Sequence, residues 1–221
     1  MLEREVVLVH GLGSTFDHNW TRSGWTDILA AEGFRATSAH LPGHAGAPVD
    51  ADPVETILGA ISNKAAPVAA VGFSAGAAAL LEVAAAEPGR FDRIALLGVG
   101  DTLLDPPGTG TAVLAEALRG AEEPVEVQAR LFWRLTQQAG NERRLVADYL
   151  DRLHQQFEPA ALGRVTCPVL VVIGDRDEAA PADRLISALP SARGVVLRGV
   201  DHFGTTADLR CIEEVVRFIS T

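Results

Sequence analysis

The chain has 221 residues, 48% of them apolar, and a formal charge of −10 from 19 Lys+Arg against 29 Asp+Glu. That length and apolar fraction suit one compact domain with a real core and exclude a disordered tail or a fibre. The acidic balance argues against phosphate backbones and anionic lipid as partners, so neither nucleic acid nor membrane is expected.

The first apolar run is Val6–Val9, and Arg35–Ala39 is a weaker second. Val68–Val71, Ile94–Val99, Val169–Ile173 and Val195–Leu197 follow. Short runs rich in Val and Ile suit strands buried on both faces of a parallel sheet. Between them Trp25, Ile28 and Leu29 share a helical face that Gly33 can end, and Asp52-Pro53 with Glu55 reads as a capped helix start. Ala75–Ala86 is an Ala-rich helix stopped by Pro88-Gly89, and Pro181–Leu189 and Ala207–Ile219 are the last two. The uncharged stretch Ala65–Leu81 is broken by Pro67, Gly72, Ser74 and Gly76, so it reads as a buried strand entering a buried helix rather than a membrane span. The alternation predicts a doubly wound α/β domain over 1–221.

Residues 101–164 break the rhythm and contain no good strand. Val113, Leu114, Ala117 and Leu118 make one helical face. Gln128, Leu131, Phe132 and Leu135 make a second, and Leu145, Tyr149, Leu153 and Phe157 a third. The expectation is a small helical cap inserted over one end of the sheet; extra helices packed at the sheet's edge is the alternative. Cys167 and Cys211 are isolated at the edges of apolar segments, which suits reduced core residues in a reducing compartment. Residues 1–9 lack the basic start and long apolar stretch of a secretory leader. A cytoplasmic location is therefore expected. No ligand spacing for a metal is present, and no metal or organic cofactor is expected.

The sharpest chemical signal is Gly72-Phe73-Ser74-Ala75-Gly76 between a strand and a helix. A serine on such a tight turn projects its hydroxyl, and the close backbones demand glycine on both sides. The helix that begins at Ala75 points its N-terminus at the same spot, which favours developing negative charge. The competing nucleotide-binding pattern G-x-G-x-x-G is absent. The second signal is His10-Gly11-Leu12-Gly13-Ser14 at the end of the first strand.

These two motifs resemble those of the α/β-hydrolase superfamily, and the resemblance covers nearly the whole chain. It implies the α/β-hydrolase fold, with about six mostly parallel strands flanked by helices and without the usual leading hairpin. It also implies a catalytic order of Ser, acid, His. Ser74 is then the nucleophile and His202, in Gly199-Val200-Asp201-His202-Phe203, the base. Asp177, in Gly174-Asp175-Arg176-Asp177, is the acid; Asp175 forms the turn, and Asp101 or Asp105 after the fourth run is the alternative. The backbone N–H groups of Leu12 and Ala75 are the implied oxyanion donors, with His10 anchoring their loop. His44 matches a structural loop of these families, and His18, His40 and His154 show no partner. Leu131, Phe132 and Trp133, with Phe203 beside His202, line an acyl pocket or simply bury a helix face. The implied activity is hydrolysis of a carboxylic ester with a small or medium acyl group through an acyl-enzyme on Ser74. A thioesterase, a lactonase and a ligand receptor with little turnover remain the alternatives.

Overall fold

A computed structural model describes residues 4–63, 67–106, 108–153 and 156–221; His154 and the start of the Ala65–Leu81 stretch lie outside the described residues. Six strands, β1 (Arg4–Val9), β2 (Phe34–Ala39), β3 (Val68–Phe73), β4 (Phe91–Leu97), β5 (Val169–Gly174) and β6 (Ala192–Leu197), form one sheet. Its order is β2-β1-β3-β4-β5-β6, and every pairing is parallel. Alternate side chains serve two cores. Val6, Leu8, Ala69 and Val71 face one core with Trp20, Trp25 and Leu29, whereas Val7, Val9 and Ala70 face the other. β3 and β5 are buried throughout, as their uninterrupted apolar runs require. β2 and β6 are the sheet's edges and are half-exposed, which is why their apolar signals are weak.

Helices α1 (Trp25–Ala31) and α9 (Leu209–Ile219) cover one face; α2 (Pro53–Ala60), α3 (Ala75–Ala86) and α8 (Asp183–Ala188) cover the other. Asp52 caps α2 by accepting from Val54 N–H (2.7 Å) and Glu55 N–H (3.1 Å). α3 is buried on nearly all sides, so its alanines let it lie close to the sheet without a polar face.

Among the described residues a 3₁₀ turn (Asp101–Leu104) and four α-helices separate β4 from β5: α4 (Gly110–Arg119), α5 (Val127–Gln138), α6 (Arg143–Arg152) and the short α7 (Pro159–Leu162). Arg119 on α4 reaches Asp148 (2.7 Å) and Asp151 (2.5 Å) on α6. The third expected helical face is not one helix. α6 stops at Arg152, and Phe157 lies beyond it, its N–H bonded to Leu103 O at 2.7 Å. Both cysteines are buried and unpaired with each other, and burial pushes the Cys167 thiol up to about 11. Among the described residues no helix is long and apolar enough to cross a membrane.

Candidate active site

Strand order reverses between β1 and β3, so the loops that leave these two neighbours diverge and open a crevice at their C-terminal ends. Ser74 stands there with φ +53° and ψ −118°, a conformation that costs a non-glycine residue on the order of 1–3 kcal/mol. The flanking glycines have steric reasons. A Cβ on Gly72 would lie 2.7 Å from Ala77 N, and one on Gly76 would lie 2.4 Å from the carbonyl oxygens of Val9 and His10. The elbow is pinned where Ser74 N–H donates to Leu97 O (2.8 Å) and Ser74 O accepts from Ala77 N–H (2.9 Å).

His202, in the loop after β6, places Nε2 3.0 Å from Ser74 Oγ and Nδ1 2.9 Å from Asp177 Oδ2. A carboxylate only accepts, so Nδ1 carries the proton and Nε2 offers its lone pair to the serine hydroxyl. Phe73 and Phe203 hold the imidazole between them, with ring centroids at 5.0 and 5.5 Å. The Asp177 side chain is 1% exposed, and its Oδ1 accepts the Ala179 N–H at 2.9 Å. The competing carboxylates are engaged elsewhere. Asp175 Oδ1 accepts Gly199 N–H (2.6 Å), Asp101 Oδ1 accepts Leu185 N–H (2.9 Å), and Asp105 pairs with Arg184 (2.8 Å).

The loop after β1 is fixed by polar contacts on each side of Leu12. Gly11 N–H donates to Asn19 Oδ1 (2.9 Å) and Gly13 N–H to His44 Nε2 (2.8 Å), whereas Leu12 N–H meets no acceptor among the described residues. Gly11 O takes His10 Nδ1–H (2.9 Å) and Ser14 N–H (3.1 Å). That carbonyl and Leu12 N–H are opposite ends of one planar trans peptide. Pinning the first therefore turns the second away from these anchors, on a residue that lines the cavity at Ser74. Ala75 N–H, at the first turn of α3, is likewise left without an acceptor among the described residues.

His10 and His44 are both neutral anchors. Leu41 N–H donates to His10 Nε2 (3.3 Å), and His44 Nδ1–H donates to Pro42 O (2.8 Å). Their rings lie 5.2 Å apart, with His40 5.7 Å from His10. Burial, reinforced by the neighbouring imidazoles, holds His10 well below the usual histidine range and pushes His44 down to about 4. Because the folded values are lowered, the unfolded chain binds protons that the native state refuses. Stability is therefore full above about pH 6.5 and falls from there towards pH 4, by about 1.4 kcal/mol per pH unit for each such histidine. Urea unfolding midpoints should drop steadily between about pH 6.5 and 5; a flat midpoint over that range contradicts the assignment.

Ser74 opens into a cavity of about 440 Å³ whose apolar wall includes Leu12, Ala78, Val99, Leu103, Phe132 and Leu153. A second cavity of about 490 Å³ lies beside it, with Leu131, Phe203, Glu126, Arg176, Glu178 and Asp201 in its wall. Phe132, Thr102, Ala179 and His202 border both. Trp133, expected at the pocket, borders neither. Successive helical residues point about 100° apart, and with Phe132 facing Ser74 the indole packs against the core under the Arg143 guanidinium, 4.5 Å above its ring. Among the described residues no three His, Cys, Asp or Glu side chains are grouped to hold a metal ion.

Residues 6–216 match the model of the alpha/beta hydrolase family, and the chain belongs to that family. Its fold is shared with a hydrolase from Pseudomonas aeruginosa PA01, with TM-score 0.73 and 18% identity over 98% of this chain and 89% of that one. An enol-lactonase from Burkholderia xenovorans LB400 gives TM-score 0.73 and 18% identity over 99% and 90% of the two chains. The 2-hydroxy-6-oxo-6-phenylhexa-2,4-dienoate hydrolase of Rhodococcus sp. strain RHA1 gives 0.70 and 23% over 98% and 90%. At these identities the likeness shows the fold alone. No curated protein matches the chain in sequence.

Proposed function

We propose that this protein is a serine hydrolase that cleaves a carboxylic ester of a small or medium acyl group, using Ser74, His202 and Asp177. The observation that carries the reading is the hydrogen-bonded chain from Asp177 through His202 to Ser74 Oγ, which ends in an apolar cavity with the N–H groups of Leu12 and Ala75, neither of which has an acceptor among the described residues. In acylation His202 Nε2 takes the Ser74 proton while Oγ bonds to the substrate carbonyl carbon. The carbonyl oxygen becomes an oxyanion facing the N–H groups of Leu12 and Ala75. Collapse breaks the ester C–O bond, and His202 returns the proton to the departing alcohol. Water, deprotonated by the same nitrogen, then attacks the acyl-enzyme and releases the acid and Ser74. Asp177 stays ionised throughout and stabilises the imidazolium.

The cavity at Ser74 is near the lower end of the roughly 300–1,000 Å³ common for small-molecule sites. It therefore suits a short acyl chain, with the alcohol portion in the neighbouring cavity and Phe132 of α5 and Leu153, just past the end of α6, as its cap. Charge favours an ester over a coenzyme A thioester. Glu126, Glu178 and Asp201 border the second cavity against the single guanidinium of Arg176 and would repel a polyphosphate. A panel of p-nitrophenyl esters from acetyl to palmitoyl, matching coenzyme A thioesters and simple lactones tests this. The lactones belong there because an enol-lactonase shares the fold. The expected result is the highest kcat/KM on acetyl-to-octanoyl esters. Preference for a thioester or lactone contradicts the substrate class, and no turnover on any arm favours a receptor.

A further inference from the structure

Helix α5 ends in a glycine-terminated turn. Gly140 has φ +76°, its N–H donates to Gln137 O (3.0 Å), and Asn141 N–H donates to Thr136 O (3.0 Å). This pair of bonds is the closure that lets a helix stop abruptly, and it leaves Asn141 facing the loop after β1. There Asn141 Nδ2 donates to Gly13 O and to Ser14 O, both at 2.9 Å, while Oδ1 accepts Ala45 N–H at 2.9 Å. One side chain thus joins three segments: the end of α5, the loop that carries Leu12, and the loop that carries His44. A steric contact runs alongside it. Thr136 sits so close to Gly13 that a Cβ there would lie 2.5 Å from Thr136 Oγ1. Phe132, one turn earlier on the same face of α5, borders the cavity at Ser74.

We propose that Asn141 is a positioning residue for the oxyanion site, clamping the loop of Leu12 to α5 so that the amide donor and the pocket wall at Phe132 keep one geometry. The proposal rests on the serine-hydrolase reading above. Asn19, His10 and His44 hold Gly11 and the Gly13 N–H. Without Asn141 the carbonyls of Gly13 and Ser14 lose their donor, and the loop is held through Gly11 and the Gly13 N–H alone. An oxyanion donor acts through its distance to an atom that carries charge only in the transition state. Loosening it should therefore lower kcat and leave KM nearly unchanged.

The test compares Asn141→Ala and Asn141→Asp with wild type and with Asp148→Asn. Asn141→Asp keeps the shape and the acceptor but removes both donors. Asp148→Asn weakens the ion pair to Arg119 between α4 and α6 without touching the loop. Each is measured for kcat and KM on an activated short-chain ester, for thermal midpoint, and for affinity of an alkyl boronate. The boronate adduct with Ser74 places an oxygen where the oxyanion forms. Both Asn141 variants should lose about 10- to 100-fold in kcat, with boronate affinity falling in parallel and KM within about threefold. Asp148→Asn should leave kcat and boronate affinity unchanged. The proposal is overturned if kcat and boronate affinity stay within about twofold of wild type in both Asn141 variants. It is equally overturned if KM alone rises, or if Asp148→Asn lowers kcat as much. A wild-type protein with no Ser74-dependent ester turnover would overturn the hydrolase reading itself, and the proposal with it.

Discussion

Ser74→Ala is expected to lower ester turnover by about 10⁶-fold, because nucleophile and base act as one unit and the remaining amides and pocket supply only a residual acceleration. The fold should survive. Alanine keeps the Cβ at φ +53°, so the strain at the elbow is unchanged, and only the bond from Oγ to His202 Nε2 is lost. Such a bond contributes about 1 kcal/mol, so the thermal midpoint should move by no more than about 4 °C. Turnover within about tenfold of wild type would remove Ser74 as nucleophile.

Asp177→Asn is expected to cost about 10⁴ in kcat. The amide can turn its NH₂ towards His202 Nδ1, which places the ring proton on Nε2 and leaves no lone pair for Ser74. It also removes the charge that stabilises the imidazolium. Asp175→Asn and Asp101→Asn are the matched controls, since an asparagine oxygen can still accept the N–H of Gly199 and of Leu185 respectively. Each should lose less than about tenfold. Circular dichroism separates a chemical loss from a folding loss. A control variant more damaging than Asp177→Asn would reassign the acid.

The central strands were legible because burial on both faces leaves no choice but an apolar run, as in Val169–Ile173. β6 begins at Ala192, earlier than its apolar signal, because Arg193 and Gly194 lie on an edge strand that packs on one side only. The elbow was legible for a related reason: contacts of 2.7 and 2.4 Å at Gly72 and Gly76 tolerate no side chain. Leu153 and Phe157 continued a helical period past the end of α6, and a tertiary bond from Phe157 N–H to Leu103 O broke it. With Leu131, Phe132 and Trp133 consecutive on α5, periodicity could not say which ring faces Ser74; packing placed Phe132 there and sent Trp133 beneath Arg143. Asn19, His44 and Asn141 serve the Leu12 loop from 8, 31 and 128 positions away, and no local spacing announces such contacts.

If Ser74 is the nucleophile, every substrate leaves its acyl group on Oγ for part of the cycle, where it can be trapped. The protein is quenched in acid during turnover of an activated ester, digested, and its peptides weighed. One acyl mass is expected on the peptide that contains Ser74, absent from Ser74→Ala and formed at the rate of the initial p-nitrophenol burst. Turnover that proceeds with no acyl mass on that peptide, or with the label on another side chain, would contradict Ser74 as the nucleophile.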